Sequence, residues 1–290
     1  MTYIPGRNIL NCRVVYHLST VWNQGGQIVI IFIILLIGLL AGCLGAIVGL
    51  GGGVIMLPGL QLLAGFDLTK AIGTTLFAVI FTSLSAAQGH YRAGNVRLRS
   101  AGYAALGGLI GVLLGSYVFS KYLSTSFTVL EVSLGIFFLF TAYRMGRDTY
   151  LAVSGKNNNS VVDMNKSENE SFAALLGLGF FTGSLTGMLG VGGGFIFTPG
   201  FMLIGGLSPQ VAVGTTMLAM LPISLSGGLI KLYQGYVNLP AGIVLGLGTA
   251  LGAQAGVWVS TRMSPTLLKA VFTILFTLLA ADYLIPFLLG

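Results

Sequence analysis

One block of this sequence occurs twice. GLGGGVIMLPG at 49–59 returns as GVGGGFIFTPG at 190–200, a shift of 141 residues. At the same shift AIGTT at 71–75 matches AVGTT at 212–216, Ser83 and Ser85 match Ser224 and Ser226, and Gly94 matches Gly235. LGGLIGVLLG at 106–115 then matches LGTALGAQAG at 247–256. A constant shift without a gap is an internal duplication, so the chain must fold as two related halves that pack on one another.

Composition says in which solvent. Of 290 residues, 55% are hydrophobic and only 7% charged, and the mean hydropathy is +0.92. A soluble domain carries about 25% charged residues. This chain therefore cannot cover a water-facing surface, which excludes a soluble globular enzyme, an RNA-binding module and a disordered tail. The reading is an all-α polytopic membrane protein. Two histidines (His17, His90) and two cysteines (Cys12, Cys43) leave no material for a metal cage, so neither metal nor cofactor is expected. The seven acids, Asp67, Glu131, Asp148, Asp163, Glu168, Glu170 and Asp282, fall mostly outside the apolar runs, and a catalytic carboxylate pair or triad is not expected either. No enzyme is predicted. The net charge of +7 suits an anionic solute, although Lys and Arg also serve to set orientation in a membrane.

Apolar runs long enough to cross a bilayer, about 20 residues each, appear at 28–49, 71–88, 100–120, 127–143, 172–190, 211–230, 239–260 and 266–289. Two further apolar segments, 50–65 and 191–206, are short and interrupted by Gly and Pro. The expected architecture is about eight transmembrane helices plus two short broken or re-entrant helices. A 1–27 extension precedes repeat 28–144, and a polar connecting loop at 145–170 leads to repeat 171–290. With four full spans per half the copies are parallel. Arg7, Arg13, Arg92, Arg97, Arg99, Arg144, Arg147, Lys156, Lys166 and Lys231 then share the side of the N-terminus, against Lys70, Lys121, Arg262 and Lys269. If the short segments also cross, the halves are inverted and the split is five to nine. The positive-inside rule favours the parallel arrangement, with the N-terminus and central loop both cytoplasmic.

Leu40-Ala41-Gly42-Cys43 has the form of a lipoprotein cleavage box. It lies inside an apolar run and Cys43 aligns with Ser184, so lipidation is not expected. Residues 1–27 are too polar for a signal peptide core. Sequons at Asn158, Asn165 and Asn169 carry no meaning in a cytoplasmic loop.

The doubled glycine block carries the chemistry. Glycine costs a helix about 1 kcal/mol relative to alanine, and four within five positions, ahead of Pro58 or Pro199, must break the preceding span. A helix that restarts there exposes unpaired N–H groups and the positive end of its dipole. Without side chains in the way, an anion can approach that backbone. The alternative use of such glycines is close helix packing, which suits Gly107, Gly111, Gly115, Gly248, Gly252 and Gly256. Gly51, Gly52, Gly53, Gly192, Gly193 and Gly194 are too dense for a packing ridge and are predicted to bind substrate. Neither a Walker pattern nor GxGxxG is present, so this is not a nucleotide loop.

The duplicated G-x-GGG-x-I-x-x-PG block, the A-x-GTT block and the later Ser/Gly segment resemble the TauE/SafE sulfite exporter family, also called the TSUP family. The likeness covers residues 30–144 and 171–289. It implies transport of sulfite, organosulfonates or related anions across the bacterial inner membrane, with no nucleic acid among the partners and a homodimer left open.

Thr74, Thr75, Thr215 and Thr216 open the next span of each copy, and their hydroxyls can donate to a sulfonate without the desolvation cost of a charge. The plainer use of such hydroxyls is a bond back to the preceding helical turn. Ser83, Ser85, Ser224 and Ser226 support a weaker version of the same argument. His90 and Lys231 are equivalent and end the third hydrophobic segment of each half, where they either attract and gate an anion or snorkel to headgroups. Glu131 is an acid near membrane depth and a candidate for coupling; its counterpart is Phe272. Gln88 and Gln254 are candidates to face a polar path. Trp22, Trp258, Tyr117 and Tyr122 are assigned to the interfacial belts. The function expected is a secondary carrier or facilitator for a small anion held between the halves. The alternative is an anion channel with the glycine segments as its constriction.

Overall fold

A computed structural model describes residues 25–122, 139, 142–143, 146–147, 171–190, 192–274 and 277–278. The described elements are helices throughout, and no strand occurs among them. In chain order they are α1 (Gly25–Val48), α2 (Gly53–Leu62), α3 (Leu68–Arg92), α4 (Leu98–Tyr122), α5 (Phe172–Leu189), α6 (Gly194–Leu203), α7 (Pro209–Tyr233), α8 (Leu239–Ser260) and α9 (Pro265–Ile274). The bounds of α2 and α3 shifted by 141 are the bounds of α6 and α7.

Local chemistry explains the starts. Asp67 accepts from the Lys70 amide at 3.1 Å to open α3, and Asn238 accepts from the Ala241 amide at 3.2 Å to open α8. Pro209 sits in the first turn of α7, where its missing N–H costs nothing. Six helices, α1, α3, α4, α5, α7 and α8, are long and apolar enough to cross a membrane. The run expected at 127–143 and the later part of 266–289 lie outside the described residues, so the count of eight is neither reached nor refuted. Ile28, Phe32, Leu36, Leu40 and Leu44 form an exposed apolar stripe at four-residue spacing on α1, the face a membrane helix turns to lipid.

Backbone approach fixes the helix directions. A Cβ on Gly179 or Gly183 of α5 would collide with the carbonyl of Ala104 or Gly108 on α4, and one on Gly187 would meet Val112. Both sets of numbers rise together, so α4 and α5 run parallel. Gly248, Gly252 and Gly256 of α8 track Leu35, Leu39 and Cys43 of α1 in the same sense. The central pair differs. Gly73 on α3 abuts the Tyr236 carbonyl, Gly214 on α7 abuts the Asn95 carbonyl, and Ser83 meets Ser224 hydroxyl to hydroxyl at 3.2 Å. Thus α3 and α7 are antiparallel. Gly242, Gly246 and Gly89 align α8 along α3 through Phe77, Phe81 and Val257, whereas Gly108 and Gly227 align α4 along α7 through Ile223 and Val112.

Equivalent helices of the two halves therefore point in opposite directions, and the parallel expectation is corrected. Counting four spans per half assumed that the short segments do not change the direction of the chain. In the structure α2 turns back along α1, with Gly52 against Ala41 and Gly59 against Ile37, and returns the chain to the end from which α3 starts. The beginnings of α1 and α5 consequently lie at opposite ends of the bundle.

Packing also crosses the sequence boundary. Helices α1, α2 and α3 take α8 as their fourth member, and α5, α6 and α7 take α4. In lipid the hydrophobic effect does not drive helices together, so close approach of small residues must; the glycine faces of α1–α8 and α4–α5 supply it. Cysteines introduced as A93C and Y233C, in a background of C12S and C43S, should be labelled by an impermeant maleimide from opposite sides of the membrane. Labelling of both from one side would contradict the antiparallel α3–α7 pair.

Candidate functional site

In hydrocarbon each unsatisfied backbone group costs several kcal/mol, so a break in a helix must be enclosed by protein. Both breaks are. Gly51, Gly52, Gly53, Gly192, Gly193 and Gly194 are all buried. Gly49, Gly51 and Gly52 have φ of 78°, 71° and 77°, and Gly190, Gly192 and Gly193 have 69°, 85° and 56°. An L-residue pays about 1–2 kcal/mol at such angles, which is why the block is glycine in both halves. Gly52 and Gly193 then serve as N-caps of α2 and α6 without a capping side chain.

The two breaks meet. Gly51 and Gly192 both face the Met220 methyl and the Val79 side chain, which are equivalent residues midway along α7 and α3. Gly194 abuts the Gly49 carbonyl and Leu50, while Thr198 Oγ1 donates to the same Gly49 carbonyl at 3.2 Å. The starts of α2 and α6 thus converge at the centre of the bundle, each presenting the positive end of its dipole. In α2 the amides of Ile55 and Met56 donate to the Gly52 carbonyl, and those of Gly53 and Val54 have no acceptor among the described residues. In α6 the Gly194 amide turns back to the Gly192 carbonyl at 2.6 Å. The two helix starts thus differ: α6 spends the Gly194 amide on its own turn, and α2 does not spend that of Gly53 in this way.

The threonines separate into two kinds. Thr74 Oγ1 accepts from the Asn238 amide at 3.0 Å, and Thr215 Oγ1 accepts from the Arg97 amide at 3.0 Å. These two contacts are related by the 141-residue shift and tie each central helix to the turn that follows the other. They lie toward the two ends of the α3–α7 pair. Thr75 and Thr216 are fully buried. Thr216 Oγ1 and Thr198 Oγ1 share a hydrogen bond at 3.2 Å, whereas Thr75 Oγ1 has no partner. The reason is one difference between the copies: the counterpart of Thr198 is Leu57.

His90 and Lys231 are not brought together. Because α3 and α7 are antiparallel they lie at opposite ends, and both are fully buried rather than snorkelling. His90 Nε2 stands 3.3 Å from the Ala46 carbonyl, which can only accept, so Nε2 carries the proton. Glu131 lies outside the described residues. Ser85 donates to the Ala250 carbonyl at 2.7 Å, and Gln254 donates to the Ser85 hydroxyl at 2.9 Å, so these two join α3 to α8 and do not line a path. Trp258 is exposed beneath the Arg262 guanidinium at 4.0 Å, and Tyr117 beside Lys121 at 5.8 Å, one at each end, as interfacial belts require. The sequence reading missed Thr198, Val79 and Met220. Thr198 was findable as the polar departure within the doubled motif; the other two look like ordinary core residues.

The model of the sulfite exporter TauE/SafE family matches residues 34–283. The chain is 28% identical over 264 residues to the probable membrane transporter protein YunE of Bacillus subtilis, covering 86% of this chain and 96% of that one. It is 29% identical over 248 residues to the probable membrane transporter protein YdhB of the same organism, covering 83% and 93%. To the probable membrane transporter protein MJ0441 of Methanocaldococcus jannaschii it is 22% identical over 252 residues, covering 82% and 89%. No solved structure matches the chain.

Thr74→Val strands the Asn238 amide and should destabilise the protein by about 1–3 kcal/mol. Thr75→Val removes a hydroxyl that bonds nothing and should be neutral or stabilising. Thermal unfolding of the detergent-solubilised protein checks both; equal losses would contradict this division of the threonines.

Proposed function

The chain belongs to the sulfite exporter TauE/SafE family and is by that kinship a membrane transporter, and on this premise we propose that its solute is a small anion such as sulfite or an organosulfonate. The observation that carries the proposal is the convergence of two helix N-termini on one buried centre, beside the Met220 and Val79 side chains. Two positive dipole ends facing each other in a low dielectric repel, and an anion between them turns that repulsion into attraction. The amides of Gly53 and Val54 donate to the anion, and the Thr75 hydroxyl adds a neutral donor. Broken helices at matching places in two halves are the usual architecture of a secondary carrier's site.

Rocking takes place between the spatial units, α1–α2–α3–α8 and α5–α6–α7–α4, because the glycine faces lock α8 and α4 to helices of the other half. Their common boundary is the α3–α7 pair with its Ser83–Ser224 contact. Arg92, Arg97, Arg99 and Arg262 share one end of the bundle, against Lys70 and Lys121 at the other. The positive-inside rule makes the arginine end cytoplasmic and puts the start of α1 outside.

Proteoliposomes should take up labelled sulfite with saturation at modest concentration. Large unitary currents in planar bilayers would identify a channel instead, and indifference to sulfite and to sulfonates alike would refute the substrate class. Thr75→Val with Thr216→Val should raise the half-saturating concentration about tenfold, the worth of a hydrogen bond to a charged partner. An unchanged value removes the threonines from the site. Accessibility of A93C only after permeabilisation would bear out the orientation.

A further inference from the structure

We propose that Lys231, with Ser116, forms a second anion-binding station, near one end of the bundle and separate from the glycine breaks. The inference rests on the anion-carrier reading above. Lys231 is fully buried and its Nζ has no hydrogen-bond partner. The ammonium lies 3.1 Å from the centroid of the Phe119 ring and 5.6 Å from that of Tyr236, the two rings themselves meeting edge to face at 5.6 Å between centroids. Aromatic faces recover part of the cost of desolvating a cation, but they do not neutralise it.

Among the described residues the surroundings offer no counter-charge. Asp67 is the one acid among the described residues; it is exposed, and its carboxylate caps α3. What the surroundings do offer is further unused polarity. Ser116 stands one turn before Phe119 on α4, on the side where Val112 meets Gly227 of α7, and its buried hydroxyl has no partner. The carbonyl oxygen of Gln234, one turn after Lys231, is also unpartnered. Buried polar groups are nearly always satisfied, so unpartnered atoms on the facing last turns of α7 and α4 call for a ligand or water. An ammonium and a hydroxyl together select a small anion, which accepts from both.

The equivalent place at the opposite end supports a built feature. There His90 Nδ1 and Ser260 Oγ are buried and unpartnered, and Ser260 is the counterpart of Phe119. One end thus carries a primary ammonium walled by aromatic rings and the other an imidazole beside a hydroxyl. Lys231 is eleven residues beyond Met220 on α7, which places the station about 16 Å from the breaks along the helix. An anion bound there is not the anion held at the centre.

The test uses the full-length protein and sulfite as probe. Sulfite-dependent thermal shifts are measured in detergent and concentration-dependent flux in proteoliposomes, for wild type, K231M, K231R, S116A and E131Q. We expect K231M to fold with an unliganded Tm equal to or above wild type, because an unpaired buried charge is replaced by an apolar stem. Its half-saturating sulfite concentration should rise about tenfold or more and its sulfite-induced shift should shrink, with K231R near wild type and S116A between. Wild-type behaviour of K231M in both measurements would show that only water satisfies the ammonium and would overturn the station while leaving the central site standing. A K231M defect relieved by adding E131Q would give Lys231 an intramolecular partner and overturn it as well. Absence of any sulfite response in the wild type would remove the carrier reading and this station together.

Discussion

A helix interrupted within hydrocarbon leaves donors and acceptors that lipid cannot satisfy, and the rest of this architecture answers that constraint. The chain breaks α1 from α2 and α5 from α6 with glycines held at positive φ. It then buries both breaks against the midpoints of α3 and α7, the two helices whose membrane-spanning stretches are the most enclosed, at 72% and 61% buried. Only a site shielded on all sides can hold exposed amides in reserve. Under the proposed anion reading, the same shielding would strengthen those amides toward a bound anion, since they would act in a medium of low dielectric.

Opposed halves follow from the break. Because α2 carries the chain back along α1, α3 starts from the same end as α1; α6 does the same for α5 and α7, and the two central helices α3 and α7 run antiparallel. The described helices α4 and α8 each pack with the other half, and threonines toward the two ends, Thr74 and Thr215, pin the turns before them. On the proposed rocking mechanism, the units that move would not be the units that were duplicated. Sequence similarity divides the chain at its polar middle, whereas the packing divides it between α3 and α7.

Exact symmetry would give a site that treats both faces of the membrane alike, and the structure departs from it at few places. Leu57 replaces the partner that Thr198 provides for Thr216, so Thr75 keeps a free hydroxyl. The Gly194 amide turns back to the Gly192 carbonyl, and the Gly53 amide makes no such turn. His90 with Ser260 at one end faces Lys231 with Phe119 at the other. Each difference lies on the central helices or against them, where it distinguishes one direction of approach from the other without altering the packing of the outer helices.

The sequence by itself determined the solvent, the duplication, the glycine breaks and the six long helices, because apolar length, a fixed 141-residue shift and glycine density are properties of a line of residues. It separated packing glycines from breaking glycines by spacing, and the backbone contacts along α4–α5 and α1–α8 have that character. It misjudged the relative direction of the halves, since charge counting depends on whether a ten-residue helix returns the chain, and that is decided by where α2 packs. It also treated four threonines as one class and His90 with Lys231 as a pair. Which threonine hydroxyl is spent on a turn, and which end of the bundle receives a basic side chain, depend on antiparallel contacts between residues more than a hundred positions apart. Only the tertiary structure sets those.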